Sequence, residues 1–170
     1  MTLMDTIRKR YSCRSYLDKP IEQDKLEQLF EAARLAPSAK NLQDWRFVIV
    51  TDKEKKWKLA QAANHQMFLA QAGVIIVGCS TCKEVMRCGQ RVGPIDVAIA
   101  LEHISLQAAE LGLGTCWIGS FYPEKVRDIV EIPQVIDIVE LMAVGYPADA
   151  RKEPSRVEKE QIICYEKWGF

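Results

Sequence analysis

Arg10, Ser12 and Arg14 stand at alternate positions in the run Arg10-Tyr11-Ser12-Cys13-Arg14. In extended backbone, alternate side chains point to one side, so two guanidiniums and a hydroxyl converge. The planar fork of arginine suits bidentate capture of a phosphate or of the oxygens of a polar ring. The chemistry is that of a clamp for an anionic, oxygen-rich ligand. The same residues also fit a solvated basic turn, and the rest of the chain must separate the two readings.

Three further stretches carry usable groups. In the loop Ala36-Pro37-Ser38-Ala39-Lys40-Asn41-Leu42-Gln43-Asp44-Trp45, Asn41 and Gln43 are amides that both donate and accept. Just before an apolar strand they could read the edge of a flat heterocycle, with Ser38 adding a hydroxyl. The plainer reading is a hydrogen-bonded connection from helix to strand. The segment from Gly112 to Ser120 holds Gly112, Gly114 and Gly119, where backbone can approach a ligand closely. Trp117 within it suits either the core or ring stacking. After Gly145-Tyr146-Pro147 come Arg151, Lys152 and Arg156, cations that could complete an anion site begun by Arg10 and Arg14, or simply be solvated. No strand is followed by G-x-G-x-x-G or a Walker pattern, so a phosphate would be held by side chains.

Cys79-Ser80-Thr81-Cys82, with Cys88 nearby, has metal or redox spacing, but no second Cys/His pair follows at finger spacing. Cys79 ends an apolar strand, where cysteine serves as a small buried hydrophobe.

These groups must be positioned by elements that the hydrophobic pattern outlines. Helices are predicted over 3–9, over 22–35 with Leu26, Leu29, Phe30 and Ala33 in register, from an Asp52 cap to 63, over 94–111, and from Pro123 to 130. A short helical piece covers 66–71. Strands are predicted at 47–50, 73–79, 115–118 and 138–144, and 80–93 reads as a loop. The helix over 94–111 is apolar nearly all round, through Val97, Ile99, Leu101, Ile104, Leu106 and Ala108, so it is buried centrally or against a partner subunit. Beyond Pro147 the chain turns polar, then ends in Ile162, Ile163, Cys164, Tyr165 and Trp168, the pattern of an arm crossing to another subunit.

The 170 residues suit a single domain over 1–170, with 147–170 as the arm. Lys+Arg and Asp+Glu both number 23, which gives no support for nucleic acid as a partner. No apolar run reaches membrane length, and the N-terminus lacks a signal-peptide block, so no membrane role and a cytoplasmic location are expected. About four strands alternating with helices give an α+β (α/β sandwich) class.

Taken in order, the Arg-x-Ser-x-Arg clamp, the Ala-Pro-Ser-x-x-Asn-x-Gln-x-Trp loop and the block from Asp96 to Gly119 with its Gly-Leu-Gly resemble the nitroreductase family of FMN-dependent oxidoreductases, in its short single-domain form. The resemblance runs from Ile7 to Arg156. It implies a central mixed β-sheet flanked by helices, in an intertwined homodimer with one FMN at each of two subunit interfaces. It implies that Arg10, Tyr11, Ser12 and Arg14 hold the phosphate, ribityl chain and pyrimidine edge. Pro37, Ser38 and Asn41 would lie along the isoalloxazine, Asn41 mainly from the partner subunit. Gln66, or Asn64 near it, would be a further polar contact. Trp117, Ile118 and Gly119 would lie near the flavin N5, with the Gly119 N–H as donor, and Arg156, with Lys152, would approach the phosphate.

The implied reaction is ping-pong: NADH or NADPH reduces FMN, and a small electron-poor aromatic acceptor, a nitroaromatic or quinone, then takes its place. The chemistry is flavin-centred, so no catalytic base and no metal are assigned, and His103 is read as structural. Alternatives are a related flavoprotein that dehalogenates or breaks down flavin, or a flavin-binding protein without turnover. The chain departs from the family in two places. Asp44 stands where proline is frequent, and the 80–93 segment is short.

Overall fold

The computed structural model describes residues 2–151 and 154–170; Lys152, one of the expected cations, lies outside them. Among the described residues four strands form one antiparallel sheet in the order β1-β2-β4-β3: β1 Trp45–Val50, β2 Val74–Ser80, β3 Gly114–Ile118 and β4 Asp137–Gly145. The α+β class and the flanking helices are as expected, but the sheet is not mixed. Val50 at the end of β1 faces Ile75 near the start of β2, and Ile118 at the end of β3 faces Leu141 on β4. The helical excursions from β1 to β2 and from β3 to β4 therefore leave and re-enter the sheet at the same end, which makes those neighbours antiparallel rather than parallel, whereas the connection from β2 to β3 crosses from the Ser80–Asp137 end to the Gly114–Gly145 end. A parallel pairing occurs at the single bridge between Ser12 and Thr115.

Strand alternation divides the interior into two cores. Ile75, Val77, Leu141, Ala143, Cys116 and Ile118 face one side with Leu59 and Val126. There they pack with α3 (Lys53–Ala62) and α5 (Pro123–Val130). Val74, Ile76, Met142 and Val144 face the other side with Leu29, Val97, Leu101 and Ile104. Those residues belong to α2 (Gln23–Arg34) and α4 (Val92–Glu110). β2, buried along its whole length, is covered on both faces, which explains its unbroken apolar run.

The helix ends follow local chemistry. In α1 (Leu3–Lys9), Thr2 and Asp5 form a reciprocal capping box. The Asp52 carboxylate accepts the Lys55 N–H at 2.8 Å at the start of α3. α4 begins at Val92, two residues before the expected start, so Pro94 sits in the first turn, where its missing N–H costs little. Its other end closes with Gly112 at φ +77° and Leu113 N–H on the Ala108 carbonyl at 2.8 Å. This six-residue return needs a left-handed residue, which glycine supplies without strain. Between β2 and α4 the loop folds on itself, with Met86 N–H on Gln90 O at 2.8 Å and a Val85–Arg91 bridge.

α4 is largely buried, yet Ile95 is exposed and Ile99, His103 and Leu106 are half-buried. Leu3, Met4 and Ile7 on α1 are also exposed. In the tail, Val157, Ile162, Ile163, Tyr165, Trp168 and Phe170 add nothing to either core, Trp168 being 82% exposed. Among the described residues no helix is long and apolar enough to cross a membrane.

Candidate functional site

The chain leaves α1 in extended conformation at Arg10 and runs beside β3, with the Cys13 N–H on the Thr115 carbonyl at 2.8 Å. This pairing fixes the alternation read from the sequence. Cys13 is buried, whereas Ser12 and Arg14 face outward. Tyr16 anchors the far end, its hydroxyl donating to Cys13 O at 2.9 Å. Arg10, Tyr11, Ser12 and Arg14 line one cavity of about 450 Å³, together with Ser15, Asp149 and Arg156. The tail cation read as completing the clamp is thus brought to it.

Arg14 contributes Nη1 to Ser12 O at 3.4 Å, and Arg156 contributes Nη1 to Ser155 O at 2.8 Å. Among the described residues, most guanidinium donors on both therefore remain available. Tyr11 is pushed up to about 12, first by burial and then by its hydrogen bond with Cys13, so it stays a neutral phenol.

Arg10 is held differently. Its Nε lies 3.9 Å from Glu102 Oε1 on α4, and Trp117 stands beside the same carboxyl. Burial pushes the Glu102 pKa up, while Arg10 and Trp117 hold it down. Glu102 therefore ties the clamp to the end of β3. Sequence reasoning missed it. The available signal was an acidic residue on an otherwise apolar helix, which needs a partner when half-buried.

β3 ends at Ile118, whose side chain packs in the core, so only its backbone can meet a ligand. Trp117 packs on the opposite face with the α4 core. Gly119 is exposed; a Cβ there would lie 3.5 Å from Glu140 Oε1. Burial raises the Glu140 pKa, against a bond from the Ile118 backbone. Gln66 reaches this segment, its Nε2 donating to Ser120 O at 3.3 Å and Ala63 O at 3.0 Å. Its amide N–H groups thus hold the backbone beside Gly119. Asn64 is exposed with φ +57°.

Pro37, Ser38 and Asn41 form a separate group that does not line the clamp cavity. Ser38 Oγ accepts the Gln43 N–H at 3.0 Å, and Asn41 Oδ1 accepts Gln43 Nε2 at 3.1 Å. Lys40, Asn41 and Gln43 have φ of +51°, +57° and +50°. Three non-glycine residues in the left-handed region within four positions are costly, roughly 1–3 kcal/mol each, and such strain clusters at ligand clamps. From below, both oxygens of buried Asp96 accept the Ala39 N–H, at 3.2 and 3.0 Å. Asp96 is thus the loop's anchor.

The Cys79 thiol is buried in the core, and burial pushes it up to about 11. It is a thiol at neutral pH, not the thiolate that redox or metal chemistry uses.

Comparison with known proteins agrees with this geometry. The model of the "Nitroreductase family" matches residues 7–80 and 64–146. An FMN reductase [NAD(P)H] of Bacillus subtilis is 30% identical, covering 89% of this chain and 68% of its own length. The crystal structure of a nitroreductase family protein from Clostridium difficile 630 superposes with a TM-score of 0.87 at 31% identity, covering 99% of this chain and 100% of that one. An FMN-dependent nitroreductase from Clostridium difficile R20291 superposes with a TM-score of 0.85 at 29% identity, covering 97% of this chain and 99% of that one. The resemblance seen in the three motifs thus extends through the fold, and this chain belongs to the nitroreductase family.

Proposed function

We propose that this chain acts as a homodimer and transfers hydride from NADH or NADPH to a small electron-poor aromatic acceptor, such as a nitroaromatic or quinone, in two alternating half-reactions. The broader class is that of its relatives: it is an NAD(P)H-dependent FMN oxidoreductase. The observation that carries the proposal is the cavity lined by Arg10, Ser12, Arg14 and Arg156. Three guanidiniums with hydroxyls between them match a phosphate and a polyol chain, and the volume is that of a small-molecule pocket. The donor set therefore fits FMN. When bound, FMN supplies the capacity to accept a hydride from one ring and pass it to another.

The protein's part is to bind and orient. Arg14 and Arg156 would neutralise the phosphate, and Arg10, braced by Glu102, would add a third cation to the same cavity. The Gly119 backbone would offer an N–H to the reactive edge, and Gln66 steadies that segment through Ser120. Ser38 and Asn41 lie apart from the clamp of their own chain, which supports a site completed by the partner subunit. The exposed apolar residues of α1 and the tail support the same dimer. Anaerobic titration of the purified protein with NADH and then NADPH tests the function. Bleaching of the visible flavin bands is expected. Bands that persist with both donors would reject the donor assignment, and a protein that stays colourless in excess FMN would reject the cofactor assignment.

A further inference from the structure

A buried polar cluster lies under the loop that carries Ser38 and Asn41. Asp44 closes that loop and is 5% exposed, Asp96 on α4 is 2% exposed, and Ser80 at the end of β2 is fully buried. The Ser80 hydroxyl donates to Asp44 Oδ2, and Ser80 Oγ accepts the Cys82 N–H at 3.0 Å. The Asp44 carbonyl accepts Thr81 N–H at 3.1 Å and Thr81 Oγ1 at 3.2 Å. α4 comes so close that a Cβ on Gly93 would collide with Ser80 Oγ. Asp44 stands close enough to Asp96 to raise the Asp96 pKa.

Two ionised carboxylates in that position have no donor between them. Asp44 Oδ1 is buried with no hydrogen-bond partner among the described residues. A single proton on either carboxyl supplies the missing donor and removes one of two like charges from a dry site. We propose that Asp44, Asp96 and Ser80 are positioning residues for the Ser38–Asn41 loop, working as a carboxylic acid–carboxylate pair that shares one proton. The role in flavin binding rests on the function proposed above.

The chain of contacts runs from Ser80 through Asp44 to Asp96, and from Asp96 to the Ala39 N–H. It ends at the three left-handed residues Lys40, Asn41 and Gln43. Strained backbone persists only where its surroundings over-determine it, and this pair is the buried support.

The Asp96 pKa is raised, by burial first and then by Asp44, against lowering by the Ala39 N–H. The sign follows from that direction. The pair's contribution is complete below the ordinary carboxylate range and is lost as pH rises through the raised Asp96 value, when Asp96 ionises beside Asp44. The packed elements carry other charges. Lys40 pairs with Glu84 at 2.8 Å, Arg46 donates to the Gln43 and Trp45 carbonyls, and Lys83 and Arg91 both pair with Asp137. Cys79 lies in β2 beside Ser80, Cys82 follows two residues on, and α4 further carries Glu102, His103 and Glu110. Glu102 and Glu140 are raised in the same sense, so global stability cannot isolate the pair, and the readout must be local.

The test measures hydrogen-exchange protection of the Ala39 amide in flavin-free protein, corrected for intrinsic rate, from about pH 4 to about pH 8.5. FMN affinity is measured over the same range. Protection in the wild type should fall by about tenfold with rising pH, and the FMN Kd should rise by a similar factor, the worth of one net hydrogen bond. Asp44→Asn keeps an N–H donor toward Asp96 without the charge and should flatten both profiles. Ser80→Ala removes a donor to the ionised form and should move the transition to higher pH. Flat protection in the wild type overturns the proposal. So does an unchanged transition in Asp44→Asn, or a downward shift in Ser80→Ala. Protection that follows the expected profile in a protein that binds no FMN at any pH would support the pair while rejecting the flavin assignment.

Discussion

Arg14→Ala removes one guanidinium from the clamp cavity while touching little else. In the chain Arg14 is exposed, and its recorded contact is a long 3.4 Å bond to Ser12 O. Loss of that bond should cost the fold less than about 0.5 kcal/mol, as for surface substitutions generally. Against a phosphate the same side chain makes a charge-assisted bond worth about 1.5–3 kcal/mol. At about 1.4 kcal/mol per tenfold, FMN affinity should fall by roughly 10- to 150-fold. Arg10→Ala provides the contrast. Arg10 is braced 3.9 Å from a carboxyl that burial already pushes toward its neutral form. Its removal should therefore lower both flavin affinity and the Tm of the flavin-free protein. The assay is FMN fluorescence quenching on flavin-free protein, paired with thermal denaturation of the same samples. An Arg14→Ala Kd within about twofold of wild type, roughly 0.4 kcal/mol, would refute the clamp. So would a loss of affinity accompanied by a large fall in Tm, because the residue would then be acting through the fold.

Gly119→Ala should fold normally, since its Cβ meets Glu140 Oε1 at an ordinary 3.5 Å. Reduction by NAD(P)H, followed by stopped flow, should nevertheless slow by about tenfold if the ligand edge abuts that backbone. A wild-type rate would place the flavin elsewhere. Deleting residues 157–170 removes side chains that serve neither core, so helical and strand content should persist while sedimentation shows a weakened dimer. An intact dimer would reject the arm. Replacing Cys79 and Cys82 with alanine should cost about 1 kcal/mol of stability through the buried Cys79 site and leave turnover in place. A folded, flavin-loaded but inactive variant would restore a redox role.

The elements were legible because their causes are local. Period-3.6 apolar spacing in α2, the Asp52 cap and the unbroken apolar run of β2 all predicted structure to within a residue or two. Strand direction was not legible, because nothing within α3 or α5 states at which end of the sheet the chain returns. The clamp could be read from alternation, which the Cys13–Thr115 pairing then imposes. Alternation within β3 also separates Ile118, on the face of Cys116, from Trp117, so the core role of the Ile118 side chain was readable. The anchors were not readable. Asp44 and Asp96 become partners only when the end of β1's preceding loop meets the second turn of α4, and Glu102 meets Arg10 only across the same helix.

Those anchors have a common origin. α4 carries three acidic residues on a mainly apolar helix, and each holds a different neighbouring element. Asp96 holds the Ala39 N–H, Glu102 holds Arg10 and Trp117, and Glu110 accepts the Thr6 hydroxyl at 2.7 Å. The helix packed against the sheet is thus also the frame on which α1, the clamp and the ring loop are hung. Glu102→Gln tests this separately from direct ligand contact, because Glu102 does not line the clamp cavity. The amide keeps the size of the carboxyl but no longer opposes the Arg10 charge. FMN affinity should fall by about tenfold or less, the worth of one strengthened hydrogen bond, and Arg10→Ala introduced on top should cost less than it does alone, since the pair is already broken. Full additivity of the two substitutions would mean that Arg10 binds without its brace, and that α4 positions the clamp through packing instead.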